Sequence, residues 1–122
     1  MKRLLPLLLL ALLGPIAWLT LSPPQAWLDR VRRVEVTPAE GQRLVETYGC
    51  LDCHRIAGRG ALKAPSLDGI SQRLEGAEGE QVRRWIMNPK RIKRDTAMPR
   101  FRLSNTELEA ILLYLASVDP QR

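Results

Sequence analysis

Hydrophobic and polar positions follow two different patterns along the chain. An almost uninterrupted apolar run without charged residues covers residues 4–22. After residue 37, apolar residues recur three and four positions apart, which predicts amphipathic helices. The alternation of single apolar and polar residues that is typical of a β-strand is not sustained anywhere. The pattern predicts an all-α fold of three main helices, preceded by a segment of a different kind.

Two of the predicted helices begin with the sequence of a capping box. Thr37 is followed by Pro38 and Glu40, which suits an N-cap, a first helical position and a reciprocal cap. Ser104 and Glu107 repeat the arrangement near the end of the chain. An apolar stripe at helical spacing follows the second box: Leu108, Ile111, Leu112 and Leu115.

The remaining main helix, second in chain order, is predicted over roughly residues 78–88 and ends before Pro89. A short additional helix is expected near residues 66–74. Few large apolar side chains lie between residues 55 and 81, so the predicted core is small. Domains of this size often need a metal, a disulfide or a cofactor. Residues 37–122 are therefore expected to form one domain around something other than side chains.

The apolar run predicts that residues 1–22 form a single transmembrane signal-anchor. At about 1.5 Å per residue, a helix of this length comes close to the hydrocarbon core, which is about 30 Å thick. A cleaved signal peptide is the alternative. The best cleavage site follows Ala26, but it places Pro24 where a small residue is needed. Lys2 and Arg3 do not settle the orientation, since arginines also follow the run.

Residues 23–36 are predicted to be a juxtamembrane linker. Trp27, Leu28, Val31 and Val34 would share one face of a helix, which suits a short amphipathic helix at the membrane surface. An ordinary linker is the alternative. Since a segment this short spans at most about 50 Å, the domain stays near the bilayer in either case.

Both cysteines and the only histidine lie in five consecutive residues, Cys50-Leu51-Asp52-Cys53-His54. This is CxxCH, the attachment motif of c-type haem, in which two thiols form thioethers and the histidine is an axial ligand. A zinc site would usually need four ligands, and the chain has no other Cys or His. A thioredoxin-like CxxC belongs in a βαβ setting. A disulfide between the two cysteines would leave the small core unexplained.

From Gly41 to its end, the chain resembles small mono-haem cytochromes c. The matching segments occur in the order of the family: GQRLVETYGCLDCH, GRGALKAPSL, WIMNPKRIKRDTAMPRF and ILLYLASV. The resemblance implies a cytochrome c-like domain with one haem c attached through Cys50 and Cys53. It also implies that Gly41 and Tyr114 form the contact where the first and last helices cross.

The resemblance implies that His54 and Met98 are the two iron ligands. Met98 precedes a proline in a loop, as the ligand of the family does, whereas Met87 is expected to be a filler within a helix. Pro65 resembles the proline whose carbonyl accepts the N–H of the proximal histidine. Trp85 resembles a tryptophan near a haem propionate, with simple core packing as the alternative.

The sequence departs from the family pattern at Ala64, where glycine often precedes the proline. Arg73 is a further candidate for a propionate contact.

Charge adds an expectation about partners. The chain carries a net charge of +6, yet the window from residue 82 to 102 contains eight cations and one acid. An acidic redox protein is expected to dock there, such as a terminal oxidase or a quinol-oxidising complex. Nucleic-acid binding does not suit an exported haem domain.

The resulting functional hypothesis is one-electron transfer by a membrane-tethered c-type cytochrome that is not itself an enzyme. The haem domain is expected on the periplasmic or extracytoplasmic side of the cell membrane, where it would pass electrons between redox partners. A fixed haem-bearing subunit of a larger membrane oxidoreductase is the first alternative. A haem peroxidase or gas sensor is the second.

Overall fold

The computed structural model describes residues 4–74 and 76–119, and this part of the chain is helical. Its α-helices are α1 (Leu4–Leu21), α2 (Gln25–Val31), α3 (Pro38–Thr47), α4 (Gly76–Met87), α5 (Pro89–Ile92) and α6 (Asn105–Val118). Two short 3-10 helices cover Cys50–Asp52 and Ile70–Arg73. The described residues contain no β-strand, only one isolated bridge between Ile56 and Arg59. The all-α prediction is confirmed.

The two predicted capping boxes have different outcomes. At the start of α6, Ser104 Oγ accepts the N–H of Glu107 at 3.2 Å, and Glu107 Oε2 accepts the N–H of Ser104 at 2.8 Å. At the start of α3, Thr37 Oγ1 accepts the N–H of Glu40 at 3.2 Å. The carboxylate of Glu40 instead accepts the Nε–H of Arg43 at 2.8 Å, so this box is only half formed and its prediction was wrong in that respect.

The remaining boundaries lie close to the predicted ones. α4 begins at Gly76, two residues earlier than expected, and ends at Met87. Asn88 has a non-helical backbone conformation and separates α4 from α5, and Pro89 occupies the first position of the short α5. The short helix expected near residues 66–74 is the 3-10 helix Ile70–Arg73.

The core forms where α3 crosses α6. A Cβ added to Gly41 would lie 1.9 Å from the carbonyl oxygen of Ala110 and 2.6 Å from Cβ of Tyr114, so only glycine permits this approach. The contact predicted for Gly41 and Tyr114 is therefore confirmed. The buried apolar side chains cluster around this crossing: Leu44, Val45, Ile56, Ile70, Leu103, Leu108, Ile111, Leu112 and Leu115.

A buried polar network joins α3, α6 and the segment after α2. Tyr48 Oη donates to Glu107 Oε1 at 3.0 Å, and Ser104 Oγ donates to the carbonyl of Arg32 at 2.7 Å. Burial, together with the negative charge of Glu107, raises the pKa of the Tyr48 hydroxyl. Since the hydroxyl stays protonated at neutral pH, it can keep donating to the carboxylate.

The linker segment packs against the domain. Leu28 of α2 is 3% exposed, Gln25 Nε2 donates to the carbonyl of Leu103 at 2.9 Å, and Asp29 Oδ1 accepts the N–H of Asn105 at 2.7 Å. The predicted shared apolar face is divided in the structure. Trp27 and Val31 are exposed, while Val34 lies beyond the end of α2 and packs against the core.

The N-terminal helix stands apart from this core. The side chains of α1 from residue 6 onward are almost all exposed. Within the described residues, no single helix is both long and apolar enough to cross a membrane. Pro6–Leu21 and Gln25–Val31 pass that test only as a pair, bent by 73°. Lys2 and Arg3 lie outside the described residues, and the single transmembrane helix remains a prediction.

Replacing Gly41 by Ala is expected to destabilise the domain. The new methyl group must push α3 away from the backbone of α6, which costs about 1–3 kcal/mol as overpacking. Thermal unfolding followed by circular dichroism would show a lowered midpoint. Gly14→Ala is the control, because a Cβ at this helical glycine meets nothing within 4 Å. Equal midpoints for Gly41→Ala and the parent chain would contradict the close crossing.

Candidate haem site

The CxxCH motif follows directly after α3 on a tight turn. Gly49 adopts a left-handed conformation with φ 67°, which ends the helical path and starts the 3-10 helix Cys50–Asp52. The N–H of His54 then donates to the carbonyl of Cys50 at 3.0 Å. Cys50 is half-buried, Cys53 is exposed, and both are free thiols. The disulfide that the sequence left open as an alternative is not formed.

The two thiols differ in their surroundings. Burial raises the pKa of the Cys50 thiol, with a smaller contribution from the nearby carboxylate of Asp52. Cys53 faces solvent. Cys50 also packs against the hydrophobic core, so one thiol of the motif lies at the edge of the protein interior and the other at its surface.

The loop after the motif folds back over it through backbone hydrogen bonds. Ala61 N–H donates to the carbonyl of Leu51, and Ala64 N–H donates to that of Cys53, both at 2.9 Å. Gly60 has φ 97°, and a Cβ there would lie 2.3 Å from the carbonyl oxygen of His54. This glycine lets the returning loop pass directly against the motif.

This fold-back brings the carbonyl of Pro65 to the histidine ring. His54 Nδ1 lies 2.7 Å from that oxygen. Because a carbonyl can only accept, Nδ1 must carry the proton, and the lone pair of the ring is then on Nε2. Nε2 is the nitrogen that can bind a metal in this tautomer. The hydrogen bond also fixes the direction of the ring, as it does for ligating histidines in general.

A carboxylate that sequence reasoning missed holds the loop closed. Asp68 Oδ1 accepts the N–H of Ala57 at 2.7 Å, and its Oδ2 accepts the Nε–H of Arg55 at 3.2 Å. Bonding to Ser66, Ala57 and Arg55 lowers the pKa of the Asp68 carboxyl. Asp68 lies eleven residues beyond Ala57 and matches no local motif. Its acidic side chain was therefore the only feature in the sequence that could have indicated that it closes the loop.

Several apolar side chains, among them Cys50 and Leu51 of the motif, pack against the buried core but are only partly covered. We call them the half-covered apolar side chains. They come from α3, the motif, the following loops and α4: Tyr48, Cys50, Leu51, Leu67, Leu74, Val82, Ile86, Met87 and Phe101. Partly covered apolar side chains near a histidine that can bind a metal through Nε2 suit a large flat apolar ligand.

The two candidate methionines differ in their packing. Met87 is the last residue of α4 and packs against the hydrophobic core. Met98 lies in the loop between α5 and α6, where its N–H donates to Thr96 Oγ1 at 3.3 Å. Among the described residues, Met98 is half-buried but is not one of the side chains packed on the core. Its thioether is thus not used as a core filler.

Trp85 lies in a different environment from the core side chains. It is half-buried and lines a cavity of about 260 Å³, together with Arg73, Glu78, Gln81 and Val82. The tryptophan and Arg73, the two candidates for contacts to a carboxylate-bearing ligand, therefore share one cavity. Within the described part of the chain, Trp85 is not among the side chains that pack on the core.

The basic window forms an exposed surface next to the Met98 loop. Arg83 pairs with Glu109, and Arg84 pairs with Glu80 at 3.0 Å. In residues 4–74 and 76–119, the other six cations form no ion pair with a carboxylate: Lys90, Arg91, Lys93, Arg94, Arg100 and Arg102. All six are exposed, so the positive charge of the window is largely uncompensated.

These residues fit a haem c. Two free thiols three positions apart can form the two thioethers, and His54 presents a metal-binding nitrogen in a fixed tautomer. The porphyrin would cover half-covered apolar side chains next to the motif. Among the described residues, no group of three or more His, Cys, Asp or Glu side chains is placed to hold a metal ion.

Comparison with known proteins gives the same family as the motif. The model of the family described as "Cytochrome c" matches residues 38–119, the part of the chain that contains α3 to α6. The match begins after the linker segment and includes the CxxCH motif, the Pro65 loop and the Met98 loop. A search of solved structures found no significant match.

Three curated proteins show what the chain is similar to. The C subunit of the nitric oxide reductase of Paracoccus denitrificans is 31% identical over 98 residues, which cover 71% of this chain and 65% of that protein. The protein of the same name from Stutzerimonas stutzeri is 29% identical over 102 residues, 80% of this chain and 70% of that protein. Cytochrome c oxidase subunit 2 of Alkalihalophilus pseudofirmus is 27% identical over 105 residues, 76% of this chain but only 30% of that protein.

Replacing Cys50 or Cys53 by Ser tests the attachment. Each single variant should keep one thioether and leave one vinyl group conjugated to the ring, which shifts the pyridine haemochrome band to longer wavelength. The double variant should lose haem completely on denaturation, as judged by intact mass. Asp52→Asn, between the two thiols, is the control and should keep both bonds. Haem that stays attached in the double variant would rule out this attachment.

Proposed function

Because the chain belongs to the cytochrome c family, we propose that it transfers single electrons through a haem c held by Cys50, Cys53 and His54. The observation that carries the proposal is the 2.7 Å contact between His54 Nδ1 and the carbonyl of Pro65, beside two free thiols. The contact leaves Nε2 as the metal-binding nitrogen in a ring of fixed direction. Met98 is proposed as the second axial ligand.

The residues of the chain then have distinct tasks. When bound, haem c supplies a one-electron couple between ferric and ferrous iron. His54 and Met98 would occupy both axial positions and exclude other ligands, which favours electron transfer over catalysis on a bound substrate. Half-covered apolar side chains near the motif would help to keep water from the ligand, and Trp85 with Arg73 is proposed to face its carboxylates.

The exposed cations beside the Met98 loop support a proposal about the partner. Uncompensated positive charge around the expected electron-exchange edge suits an acidic docking surface. Two relatives are named as subunits of nitric oxide reductase, and one is named as a subunit of an oxidase that acts on cytochrome c. We propose that the partner is likewise a respiratory oxidoreductase, with the haem domain outside the cytoplasmic membrane and residues 1–22 as its anchor.

One observation favours the fixed-subunit form of this function over a freely swinging carrier. α2 is docked on the start of α6 through Gln25, Asp29 and the carbonyl of Arg32. Only Ser22, Pro23 and Pro24 separate α2 from the apolar α1. A domain attached through so short and so well-bonded a segment has a restricted orientation relative to its anchor. Such a domain suits a haem-bearing subunit that is held within a larger complex.

Met98→Ala is expected to abolish the weak red absorption band of methionine-bound ferric iron and to lower the midpoint potential. Both effects follow from losing the thioether ligand. Optical spectra and a redox titration of the haem-loaded full chain would measure them. Met87→Ala is the matched control and should keep the band, because Met87 packs on the core. Loss of the band in Met87→Ala alone would contradict the assignment.

The basic surface should steer charged reagents. Reduction by the anion hexacyanoferrate(II) is expected to slow as ionic strength rises, whereas reduction by the cation hexaammineruthenium(II) should accelerate. Lys90→Gln/Arg91→Gln should weaken the effect on the anion, measured by stopped-flow spectroscopy. Arg43→Gln/Arg59→Gln removes the same amount of charge outside the basic window and should change the salt dependence of the anion less. Rates independent of salt for both reagents would argue against steering.

The docked α2 should orient the haem domain in a membrane. In oriented multilayers of the full chain, the electron paramagnetic resonance of ferric haem should depend strongly on the angle of the field. Gln25→Ala/Asp29→Ala removes the contacts to Leu103 and Asn105 and should weaken this dependence. Gln42→Ala, on the surface of α3, is the control. An angle-independent spectrum of the parent chain would favour the swinging carrier.

A further inference from the structure

A cleft lies at the junction of α1 and α2, and two cations of the basic surface, Arg100 and Arg102, contribute to its lining. Its volume is about 200 Å³, below the about 300 Å³ at which pockets for drug-sized ligands begin. The lining comes from the junction, α2, the end of α4 and the segment before α6: Ser22, Pro23, Gln25, Leu28, Met87, Arg100, Phe101 and Arg102. The cleft therefore lies where the chain passes from the N-terminal helix to the domain.

The lining of this cleft has two kinds of surface. Three lining residues are apolar, of which Leu28 is buried and Met87 and Phe101 are half-buried. Arg100 and Arg102 are exposed at its rim. The Arg102 guanidinium donates to the carbonyl of Leu21, the last residue of α1, which holds it at the end of that helix. In the described part of the chain, the guanidinium of Arg100 makes no hydrogen bond to protein.

Two exposed tryptophans lie on either side of this junction along the chain. Trp18 lies one turn before the end of α1 and is 61% exposed, and Trp27 lies on α2 and is 43% exposed. Exposed tryptophans on both sides of a junction are typical of the boundary between lipid headgroups and hydrocarbon. The cleft at this junction is lined by two arginines, whose planar donor groups match the oxygens of a phosphate.

We propose that this cleft binds the phosphate-bearing headgroup of an anionic phospholipid, held by Arg100 and Arg102. The apolar side chains of the lining would contact the glycerol backbone, and the acyl chains would continue along the exposed leucines of α1. Bound lipid would fill the gap between anchor and domain and add to the restricted orientation that α2 provides. The inference rests on the proposed anchoring by residues 1–22.

The test compares lipid retention by full-length, haem-loaded protein in detergent micelles that contain equal amounts of phosphatidylglycerol and phosphatidylcholine. Native mass spectrometry should show selective retention of phosphatidylglycerol by the parent chain. Arg100→Gln/Arg102→Gln should reduce this retention by about tenfold, because each arginine near the surface contributes to attraction of anionic lipid. Lys93→Gln/Arg94→Gln has the same charge change outside the cleft and should retain the lipid.

Several outcomes would overturn the inference. Equal loss in both double variants would mean general attraction by net charge. Displacement of the lipid by millimolar inorganic phosphate would mean a site for free anions. If Arg100→Gln/Arg102→Gln retained the lipid but no longer associated with a membrane-protein partner, the cleft would be a contact surface for protein instead. Arg100→Gln alone should already lower retention, and its haem spectrum checks that the domain is folded.

Flotation with vesicles of phosphatidylcholine alone distinguishes the proposed lipid site from the proposed membrane anchor. Flotation without selectivity for phosphatidylglycerol would refute the lipid site and leave the anchor standing. A chain that does not float would refute both the anchor and the lipid site, while the electron-transfer proposal for residues 37–122 would be tested separately by the Met98 variant.

Discussion

The hydrogen bond between the His54 ring and the carbonyl of Pro65 is the constraint on which the proposed site depends. At 2.7 Å it determines the tautomer and the direction of the only imidazole in the chain. The partner oxygen is in turn held by the loop, which returns over the motif through Ala61 and Ala64 and is closed by Asp68. Without this loop, neither the tautomer nor the direction of the ring would be fixed by a backbone acceptor.

Some apolar side chains of the described residues are only partly covered by protein. The crossing of α3 and α6 forms a well-buried core, but the half-covered apolar side chains that pack on it, such as Leu51 and Leu67, keep part of their surface exposed. A small domain gains little from such partly covered side chains. A porphyrin attached to Cys50 and Cys53 would cover part of this surface and contribute stability as well as redox chemistry, so the folding and the function of this domain would share one ligand.

Local sequence signals predicted the parts of the fold that short-range chemistry determines. Ser104 and Glu107 are three residues apart and form their capping box as expected. Gly41 could be placed at a helix crossing from the resemblance alone, and the geometry confirms it. Glu40 shows the limit of such signals, since Arg43 competes for its carboxylate within the same turn and prevents the reciprocal cap.

Contacts between distant parts of the chain were not predictable in this way. The bond from Asp29 to Asn105 joins residues 76 positions apart, and no local pattern indicated that the linker would dock on α6. For the site, CxxCH predicted the thiols and the histidine together, because all three belong to one motif. The pairing of His54 with Met98 remains a prediction, since it depends on an iron that both side chains would bind.

The most direct measurement is the intact mass of the denatured full chain after expression with the haem-attachment machinery, combined with thermal unfolding of the same sample. The account predicts the mass of the chain plus one haem and a cooperative transition that is lost when haem attachment is prevented. A chain of unmodified mass that still unfolds cooperatively would contradict it.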